Sequence, residues 1–249
     1  MFIDQSEIHL WSLPLEESLT DVGAFISLLS KDEIARAMRY YRVGDVIRFV
    51  RSRVWLRKLF EGYTGIRAKD IAFSYGAYGK PELSCNVSCL DIHFSISHTS
   101  GLTLFAFVLG QDVGVDIEST AQQIDVKAAS THFLGAAELA HLNSTSSDRR
   151  KSLFFNYWTR KEACLKLLGI GLSGEPETID VSKPPAVWIK AVSSSEQQPE
   201  DKVLWLTDFQ LEGMYSGACA LAGPVPPKSV RLFRCDHAVH TFAEAKVPR

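Results

Sequence analysis

The sequence lacks any apolar run long enough to span a bilayer, and no basic segment followed by an apolar stretch occurs near residue 1. Its five cysteines form no C-x-x-C pair, which argues against a disulfide framework and a structural zinc site. We therefore expect a soluble cytoplasmic protein with free, mostly buried thiols. Cys235, His237 and His240 are an alternative metal cluster, but their polar surroundings disfavour it.

The chain also lacks a G-x-x-x-x-G-K-[ST] phosphate loop and a large net charge, since its formal charge is −2. This charge is unevenly distributed. Residues 31–60 contain nine Lys or Arg and three acids, a net of +6 that leaves −8 for the rest of the chain. A compact basic segment on an acidic protein favours one discrete anionic ligand and disfavours general nucleic-acid binding.

The order of the predicted elements indicates an α+β protein. With 249 residues and 46% hydrophobic residues, the chain can bury a full core. Each half reads as helices followed by strands, which predicts two similar lobes, residues 1–112 and 113–249, with a site between them. The predicted helices cover residues 15–29, 31–60 with a break or bend near Gly44, 135–142 and 148–168. The predicted strands cover residues 7–13, 71–74, 92–96, 102–109, 113–118, 179–181, 187–192, 203–211, 215–221 and 230–235.

Two acids share one face of a short strand, V-G-V-D-I-E at residues 113–118. Alternation along this strand places Asp116 and Glu118 on the same side. Two neighbouring carboxylates without a counter-ion repel one another, so a shared cation is the simplest explanation. The alternative is a pair of solvated acids on an edge strand.

A third acid lies on the predicted helix that ends near Gly169. Spacing of four places Trp158, Glu162 and Lys166 along one stripe of this helix. Three carboxylates without paired Cys or His favour a hard cation such as Mg²⁺, which leaves coordination positions for substrate phosphates. The alternative here is an ordinary surface stripe of Lys and Glu.

The basic segment carries more arginines than nearby acids can pair. Arginine binds phosphate well because its planar fork donates two hydrogen bonds at once. Lys80 projects from a Gly- and Pro-containing turn, which suits a phosphate contact as well as it suits a solvated lysine. Ser97 and His98 end a strand; adjacent strand residues face opposite sides, so a nucleophilic Ser/His pair is disfavoured and His98 is interpreted as a binding residue.

Five segments, in order, resemble the Sfp-like 4′-phosphopantetheinyl transferases. G-V-D-I-E at 114–118 and W-T-R-K-E-A-C-L-K at 158–166 are similar to the two signature motifs of that family. F-S-I-S-H-T-S-G at 94–101, Y-G-K-P at 78–81 and the R-Y-Y segment followed by Arg48 match its other motifs. The resemblance extends over most of the chain.

The resemblance implies an enzyme that moves the phosphopantetheine arm of coenzyme A onto a serine of an apo acyl, peptidyl or aryl carrier protein and releases adenosine 3′,5′-bisphosphate. It implies a monomer of two pseudo-symmetric lobes with coenzyme A in the cleft, and no nucleic-acid or membrane partner. By the same resemblance, Mg²⁺ would be held by Asp116, Glu118 and Glu162; Lys166 would contact the phosphates; the 3′-phosphate end would be bound by Arg48, Lys80, Ser97 and His98, with Arg36 nearby.

Some assignments stay open within this resemblance. Glu162 is a candidate base for the serine proton, directly or through water, but a carboxylate that binds a cation is a weak proton acceptor. Glu33 stands where some relatives have a lysine, and Ile170 replaces a lysine, so two phosphate contacts are in doubt. The stretch 119–133, with Ile124, Val126 and Phe133, is the expected carrier contact. A catalytically silent carrier-binding module and an unrelated Mg²⁺-dependent nucleotide hydrolase are the competing functions.

Overall fold

The computed structural model describes residues 1–15, 22–76, 79–84, 90–170, 175–184, 186–190, 201–223, 226–235 and 243–245. The mixture of helices and sheets confirms the α+β class. The helices are α1 (Val22–Ile26), α2 (Lys31–Ala37), α3 (Val43–Thr64), α4 (Val126–Phe133), α5 (Ala136–Ser144) and α6 (Ser147–Leu168). The strands are β1 (Glu7–Pro14), β2 (Phe73–Tyr75), β3 (Pro81–Leu83), β4 (Ile92–Thr99), β5 (Leu102–Leu109), β6 (Asp112–Ser119), β7 (Ala186–Lys190), β8 (Asp201–Leu211), β9 (Tyr215–Ala222), β10 (Ser229–Arg234) and β11 (Ala243–Ala245).

The first sheet has the strand order β11-β10-β1-β5-β4. Only β1 and β10 run parallel to each other, with Glu7 opposite Ser229. Helix α3 packs against this sheet through aromatic and aliphatic side chains, among them Trp55 and Phe60, which share a buried cluster with Phe105 and Phe107. Burial of such large apolar side chains stabilises the sheet-helix layer by roughly 1.5–3 kcal/mol each.

The second sheet has the order β6-β9-β8-β7, and α6 packs against it. A separate cluster joins the two sheets: Val115 and Ile117 of β6 and Cys219 of β9 contact Leu104 of β5 and Leu10 of β1. The two layers therefore share one continuous apolar contact, which fixes the edge of one sheet beside the edge of the other.

Strands β4 and β6 meet along a seam that is held by side chains. The hydroxyl oxygens of three alternate residues of β4, Ser95, Ser97 and Thr99, accept hydrogen bonds from the backbone N–H groups of β6. These donors are Val115, Ile117 and Ser119, at distances of 3.1, 3.3 and 3.0 Å. These hydroxyls take the place of strand carbonyls and satisfy three backbone N–H groups at the edge of β6.

Most predicted elements are confirmed, and the differences are local. The capping box of Ser30 and Glu33 is present, and so is the break predicted near Gly44, because α2 ends at Ala37 and α3 begins at Val43. The predicted first helix is limited to Val22–Ile26 in the described residues, and the turn that carries Lys80 continues into strand β3. Residues 126–133, for which no helix or strand is predicted, form α4, capped by Asp125. Residues 179–181, predicted to be a strand, follow a 3₁₀ turn over Pro176–Thr178 and belong to no sheet.

Some predicted segments and residues lie outside the described residues. These are residues 16–21 of the predicted first helix, 191–192 of the β7 prediction, and Cys85, Cys89, His237 and His240. The three described cysteines, Cys164, Cys219 and Cys235, are buried and form no disulfide bond within the described residues. The division at residue 112 stays a prediction; β6 begins there, while β10 and β11 lie in the first sheet. Among the described helices, none combines the length and hydropathy needed to cross a bilayer.

Candidate functional site

The two acids of β6 face α6 because the strand approaches that helix very closely. At Gly114 an added Cβ atom would lie 1.9 Å from the carbonyl oxygen of Ala163 and 2.6 Å from the amide nitrogen of Leu167. Only glycine permits this contact. Alternation then places Asp116 and Glu118 on the same side of the strand, toward the α6 residues Glu162 and Lys166.

Hydroxyl groups of β4 hold both β6 carboxylates. Ser97 Oγ donates a hydrogen bond to Asp116 Oδ1 at 2.7 Å, and Thr99 Oγ1 donates one to Glu118 Oε2 at 3.0 Å. The same two hydroxyls accept the seam bonds from β6. Each of these hydroxyls therefore accepts a hydrogen bond from the backbone of β6 and donates one to a carboxylate of the same strand.

Lys166 completes a three-residue contact. Its Nζ atom lies 2.7 Å from Asp116 Oδ1 and 2.8 Å from Ser97 Oγ. Asp116 is 3% exposed and Ser97 is 2% exposed, so the lysine contacts two buried side chains. Ser97 therefore lies with the acids, while the family resemblance assigned it to the 3′-phosphate.

Two carboxylate oxygens in this site are buried without a hydrogen-bond partner, Asp116 Oδ2 and Glu162 Oε1. Burial and the nearby charge of Asp116 raise the pKa of both Glu118 and Glu162. Unpartnered buried carboxylate oxygens are costly, and their hard oxygen donors fit an Mg²⁺ ion. As positioned, however, no three His, Cys, Asp or Glu side chains in the described part of the chain are grouped closely enough to hold a metal ion.

A cavity of about 530 Å³ opens beside this site, of a size suited to a small-molecule ligand. The cations on its wall are Arg36, Arg48 and Arg53, and His98 lies between them. The arginines come from α2 and α3, and His98 comes from the end of β4. This combination brings together Arg36, Arg48 and His98 as the sequence predicts.

The histidine in this cavity is held in its neutral form. Its Nε2 atom lies 3.1 Å from Ser52 Oγ, and part of the ring surface remains exposed. The surrounding protein desolvates the imidazole, and this desolvation, together with the positive charges of Lys166, Arg53 and Arg48, lowers the pKa of His98 to about 4. A bound anion would offset those positive charges and favour the protonated imidazole.

Lys80 lies in a smaller neighbouring cavity of about 200 Å³, which it lines with Lys166 and Gly169. Its Nζ atom donates a hydrogen bond to the carbonyl oxygen of Leu167 near the C-terminal end of α6, at 3.2 Å. Burial lowers the pKa of Lys80. Lys80 does not line the arginine cavity, so the structure separates it from Arg48 and His98 and places it on the side of Lys166.

Some charged residues of the motifs have structural positions. Lys161, next to Glu162 in sequence, is fully buried and forms an ion pair with Glu138 at 2.7 Å. Glu33 is also buried and pairs with Arg57 at 2.7 Å. The sequence alone does not distinguish these residues from those of the site, because a lysine or glutamate in a buried ion pair is the same residue type as one that faces a substrate.

The expected carrier contact at residues 119–133 also differs in part. Ile124 and Val126 pack against the core of the second sheet, and Phe133 stacks on Trp158 with ring centroids 4.1 Å apart. Phe133 is therefore buried, whereas Ile124 and Val126 are partly buried, and the carrier contact stays a prediction. The exposed side chains of this stretch are polar or small, including Gln122, Gln123 and Lys127.

Comparisons with known proteins agree with this geometry. The profile of the 4′-phosphopantetheinyl transferase superfamily matches residues 112–211, and that of the 4′-phosphopantetheinyl transferase N-terminal region matches residues 14–108. The transferase HetI of Nostoc sp. is 32% identical over 179 residues, which are 72% of this chain and 75% of HetI. The transferase gsp of Aneurinibacillus migulanus is 33% identical over 219 residues, 88% of this chain and 87% of gsp. Sfp of Bacillus subtilis is 32% identical over 149 residues, 60% of this chain and 64% of Sfp.

Both halves of the site fall inside these matches. The arginine cavity and the β4 hydroxyls lie in the N-terminal match, and the β6 acids and α6 lie in the superfamily match. With its seam, its acidic strand and its helix in the matched regions, the chain belongs to the 4′-phosphopantetheinyl transferase superfamily.

Proposed function

We propose that this protein transfers the 4′-phosphopantetheine arm of coenzyme A to a serine hydroxyl of an apo acyl, peptidyl or aryl carrier protein and releases adenosine 3′,5′-bisphosphate. The observation that carries this proposal is the contact of Lys166 with Asp116 and Ser97 next to a cavity walled by arginines. Such an arrangement suits a pyrophosphate substrate: the site of Asp116 and Lys166 would lie at the P–O bond that breaks, and the arginines of the cavity would bind the part of the substrate that leaves.

In the proposed reaction the carrier serine oxygen forms a bond to the phosphorus that bears the pantetheine arm. The bond from that phosphorus to the bridging pyrophosphate oxygen breaks, and the electron pair leaves with adenosine 3′,5′-bisphosphate. Lys166 is placed to neutralise the negative charge that develops on the phosphate oxygens. When bound by Asp116, Glu118 and Glu162, Mg²⁺ would supply further charge neutralisation on the pyrophosphate.

The serine proton needs an acceptor, and Glu162 is the candidate. Its carboxylate is partly buried with one unpartnered oxygen, and burial raises its pKa, which makes the ionised form a better base. A glutamate that acts as base can take the proton directly or through one water. Ser97 would act by positioning Asp116 and Lys166.

The other phosphate contacts of coenzyme A are assigned to cationic side chains of the two cavities. Arg36, Arg48 and His98 would bind its adenosine 3′-phosphate end in the larger cavity, and Lys80 would face the phosphates from the smaller one. We further propose a monomer, because one chain supplies every residue of the proposed site. A cytoplasmic location is supported by the three buried cysteines that form no disulfide bond within the described residues, as is typical of a reducing compartment.

Intact-mass analysis tests the proposal directly. An apo carrier protein is incubated with coenzyme A, Mg²⁺ and the protein, with and without a chelator. We expect the carrier to gain one phosphopantetheine, and we expect the gain to vanish with the chelator and in Asp116→Ala. Asp70→Ala, which removes an exposed acid outside the site, is the matched control and should leave the gain intact.

The negative outcomes separate the alternatives. Binding of coenzyme A without transfer to any of several carrier types would favour a silent carrier-binding module. Breakdown of a nucleotide without a carrier would favour a hydrolase. Absence of coenzyme A binding would exclude the transferase and the silent module together.

A further inference from the structure

The proposed substrate carries a 3′-phosphate in addition to its pyrophosphate, and this group needs its own cationic partners. If the pyrophosphate lies beside Asp116 and Lys166, the 3′-phosphate remains as a separate dianion. The adjacent cavity is the basic space beside that site. On the neighbouring helix α2, position 33 carries Glu33, whose negative charge does not suit a phosphate.

Glu33 is committed to a different contact. It is 1% exposed, and its Oε2 atom accepts hydrogen bonds from Arg57 Nε at 2.9 Å and from the backbone N–H of Ser30 at 3.0 Å. Arg57 in turn donates to the carbonyl oxygens of Ala68 and Ile71. This buried pair fixes α2 against α3, and Glu33 is absent from the cavity wall.

Arg53 is a third arginine on the wall of this cavity. It lies on α3, one turn before Arg57, lines the cavity and is 7% exposed. Its Nη1 atom is buried and has no hydrogen-bond partner within the described ranges. Arg48, in contrast, is paired with Asp45 on the same wall.

Aromatic rings hold this guanidinium in place. The Arg53 Cζ atom lies 5.4 Å from the ring centroid of Phe49 and 5.8 Å from that of Tyr75. Arg36 lies against the same two rings, at 5.6 and 6.0 Å. Two cations are thus fixed side by side by cation-π contacts, and their mutual repulsion is relieved when an anion binds between them.

Burial of the Arg53 guanidinium also favours the binding of an anion beside it. It lowers the pKa of Arg53, which means that the protein destabilises the charged guanidinium relative to water. Arginine nevertheless stays protonated at neutral pH, so the cost remains until an oxyanion accepts its hydrogen bonds. A dianionic phosphate monoester, with three acceptor oxygens, is the ligand group best suited to remove that cost.

We propose that Arg53 binds the 3′-phosphate of coenzyme A and makes this protein select coenzyme A over 3′-dephospho-coenzyme A. This inference rests on the proposed function for the identity of the ligand. Arg53 provides from α3 the positive charge that position 33 of α2 does not carry, while Glu33 keeps a structural role.

The first test uses nucleotides without a carrier protein. The affinities of adenosine 3′,5′-bisphosphate and of adenosine 5′-monophosphate are measured by calorimetry for the native protein, Arg53→Gln and Arg39→Gln. Because a hydrogen bond to a charged group is removed, Arg53→Gln should weaken bisphosphate binding about ten- to a hundred-fold. It should change monophosphate binding by less than about two-fold, and Arg39→Gln, an exposed arginine outside the cavity, should change neither.

The second test uses transfer kinetics. Arg53→Gln should raise the KM for coenzyme A about as much as it weakens bisphosphate binding, with kcat nearly unchanged, and should leave the KM for 3′-dephospho-coenzyme A as it was. Arg53→Lys, which keeps the charge and removes the planar fork, should restore part of the preference. Thermal unfolding of each variant shows whether it is folded.

Three results would overturn the inference: equal weakening of bisphosphate and monophosphate binding, no weakening at all, or an unchanged preference in folded Arg53→Gln. Failure of the proposed function has a different signature. A protein that binds the bisphosphate through Arg53 but modifies no carrier would keep this inference and exclude the transferase assignment.

Discussion

Lys166 Nζ lies 2.7 Å from Asp116 Oδ1, although the two residues belong to different elements and are 50 positions apart in sequence. The contact exists because Gly114 lets β6 lie directly against α6. A lysine placed in this way holds its partner carboxylate before substrate arrives and can turn toward a phosphate when one binds.

Removal of this lysine should affect the chemical step. We expect Lys166→Met to lower the rate of phosphopantetheine transfer about 10²- to 10³-fold, the range found when one group that stabilises transition-state charge is removed. Single-turnover intact-mass analysis measures this rate. Lys151→Met, on the same helix but outside the site, should retain the native rate, and a native rate in Lys166→Met would contradict the assignment.

Ser97 should be a positioning residue whose removal is visible in both stability and activity. Ser97→Ala leaves the Ile117 amide without its acceptor, which should reduce the free energy of unfolding by about 1–3 kcal/mol. Ser95→Ala is the matched control, because Ser95 makes the same seam bond to Val115 without touching an acid. Only Ser97→Ala should also raise the Mg²⁺ concentration needed for half-maximal transfer; equal behaviour of both variants in that titration would exclude a positioning role.

Gly114 should tolerate no side chain. A methyl group there would collide with the backbone of α6, so Gly114→Ala should lower the free energy of unfolding by about 2–3 kcal/mol or more, as overpacking does. At Gly44, near the start of α3, an added Cβ would meet nothing within 4 Å, and Gly44→Ala should be neutral or stabilise by up to about 1 kcal/mol. Urea unfolding of the two variants checks both values, and similar stabilities would contradict the close approach.

His98 should remain neutral at neutral pH and should become protonated only in acid. Its pKa of about 4 in the folded protein is below the ordinary value of 6.5, so the unfolded chain binds the proton first as pH falls. The contribution of His98 to stability is therefore fully present above pH 6.5 and is lost as pH falls from 6.5 through 4.

Two measurements check this pH dependence. Ring signals of His98 in NMR spectra should titrate well below pH 6, and the midpoint should rise when adenosine 3′,5′-bisphosphate is bound. The unfolding free energy of His98→Gln should decline less than that of the native protein between pH 6.5 and 4. A midpoint near the ordinary value in the free protein would refute the prediction.

The Lys161–Glu138 pair should contribute to folding and not to chemistry. Both side chains are fully buried, and Lys161 also donates to the carbonyl oxygens of Pro176 and Ile179. Lys161→Met leaves a buried carboxylate without its cation, which should cost about 3–5 kcal/mol of unfolding free energy. The exposed Arg67–Asp70 pair is the control, and Arg67→Met should cost no more than about 1 kcal/mol.

Much of the site could be predicted from the sequence because it depends on local periodicity. Alternation in β6 placed Asp116 and Glu118 together, and helical spacing placed Glu162 and Lys166 on one stripe. The basic character of α2 and α3 similarly predicted an anionic ligand, and the structure brings Arg36, Arg48 and His98 onto the wall of one cavity.

The remaining features depend on contacts between distant elements. Nothing local distinguishes Ser97, which holds Asp116, from Ser52, which lies beside His98. Periodicity likewise does not show that Lys161 points into the core while Glu162 points to the cleft. Helix α4 was missed because its polar, Ala-rich sequence hides an apolar face that only packing against α6 reveals.

The parallel pairing of β1 with β10 has a consequence for how the protein is made. Glu7 of β1 pairs with Ser229 of β10, so the first sheet cannot be completed until the later strand has been synthesised. Until then one edge of β1 stays open and able to pair with other chains. Early folding intermediates of this protein should therefore depend on chaperones more than the native fold would suggest.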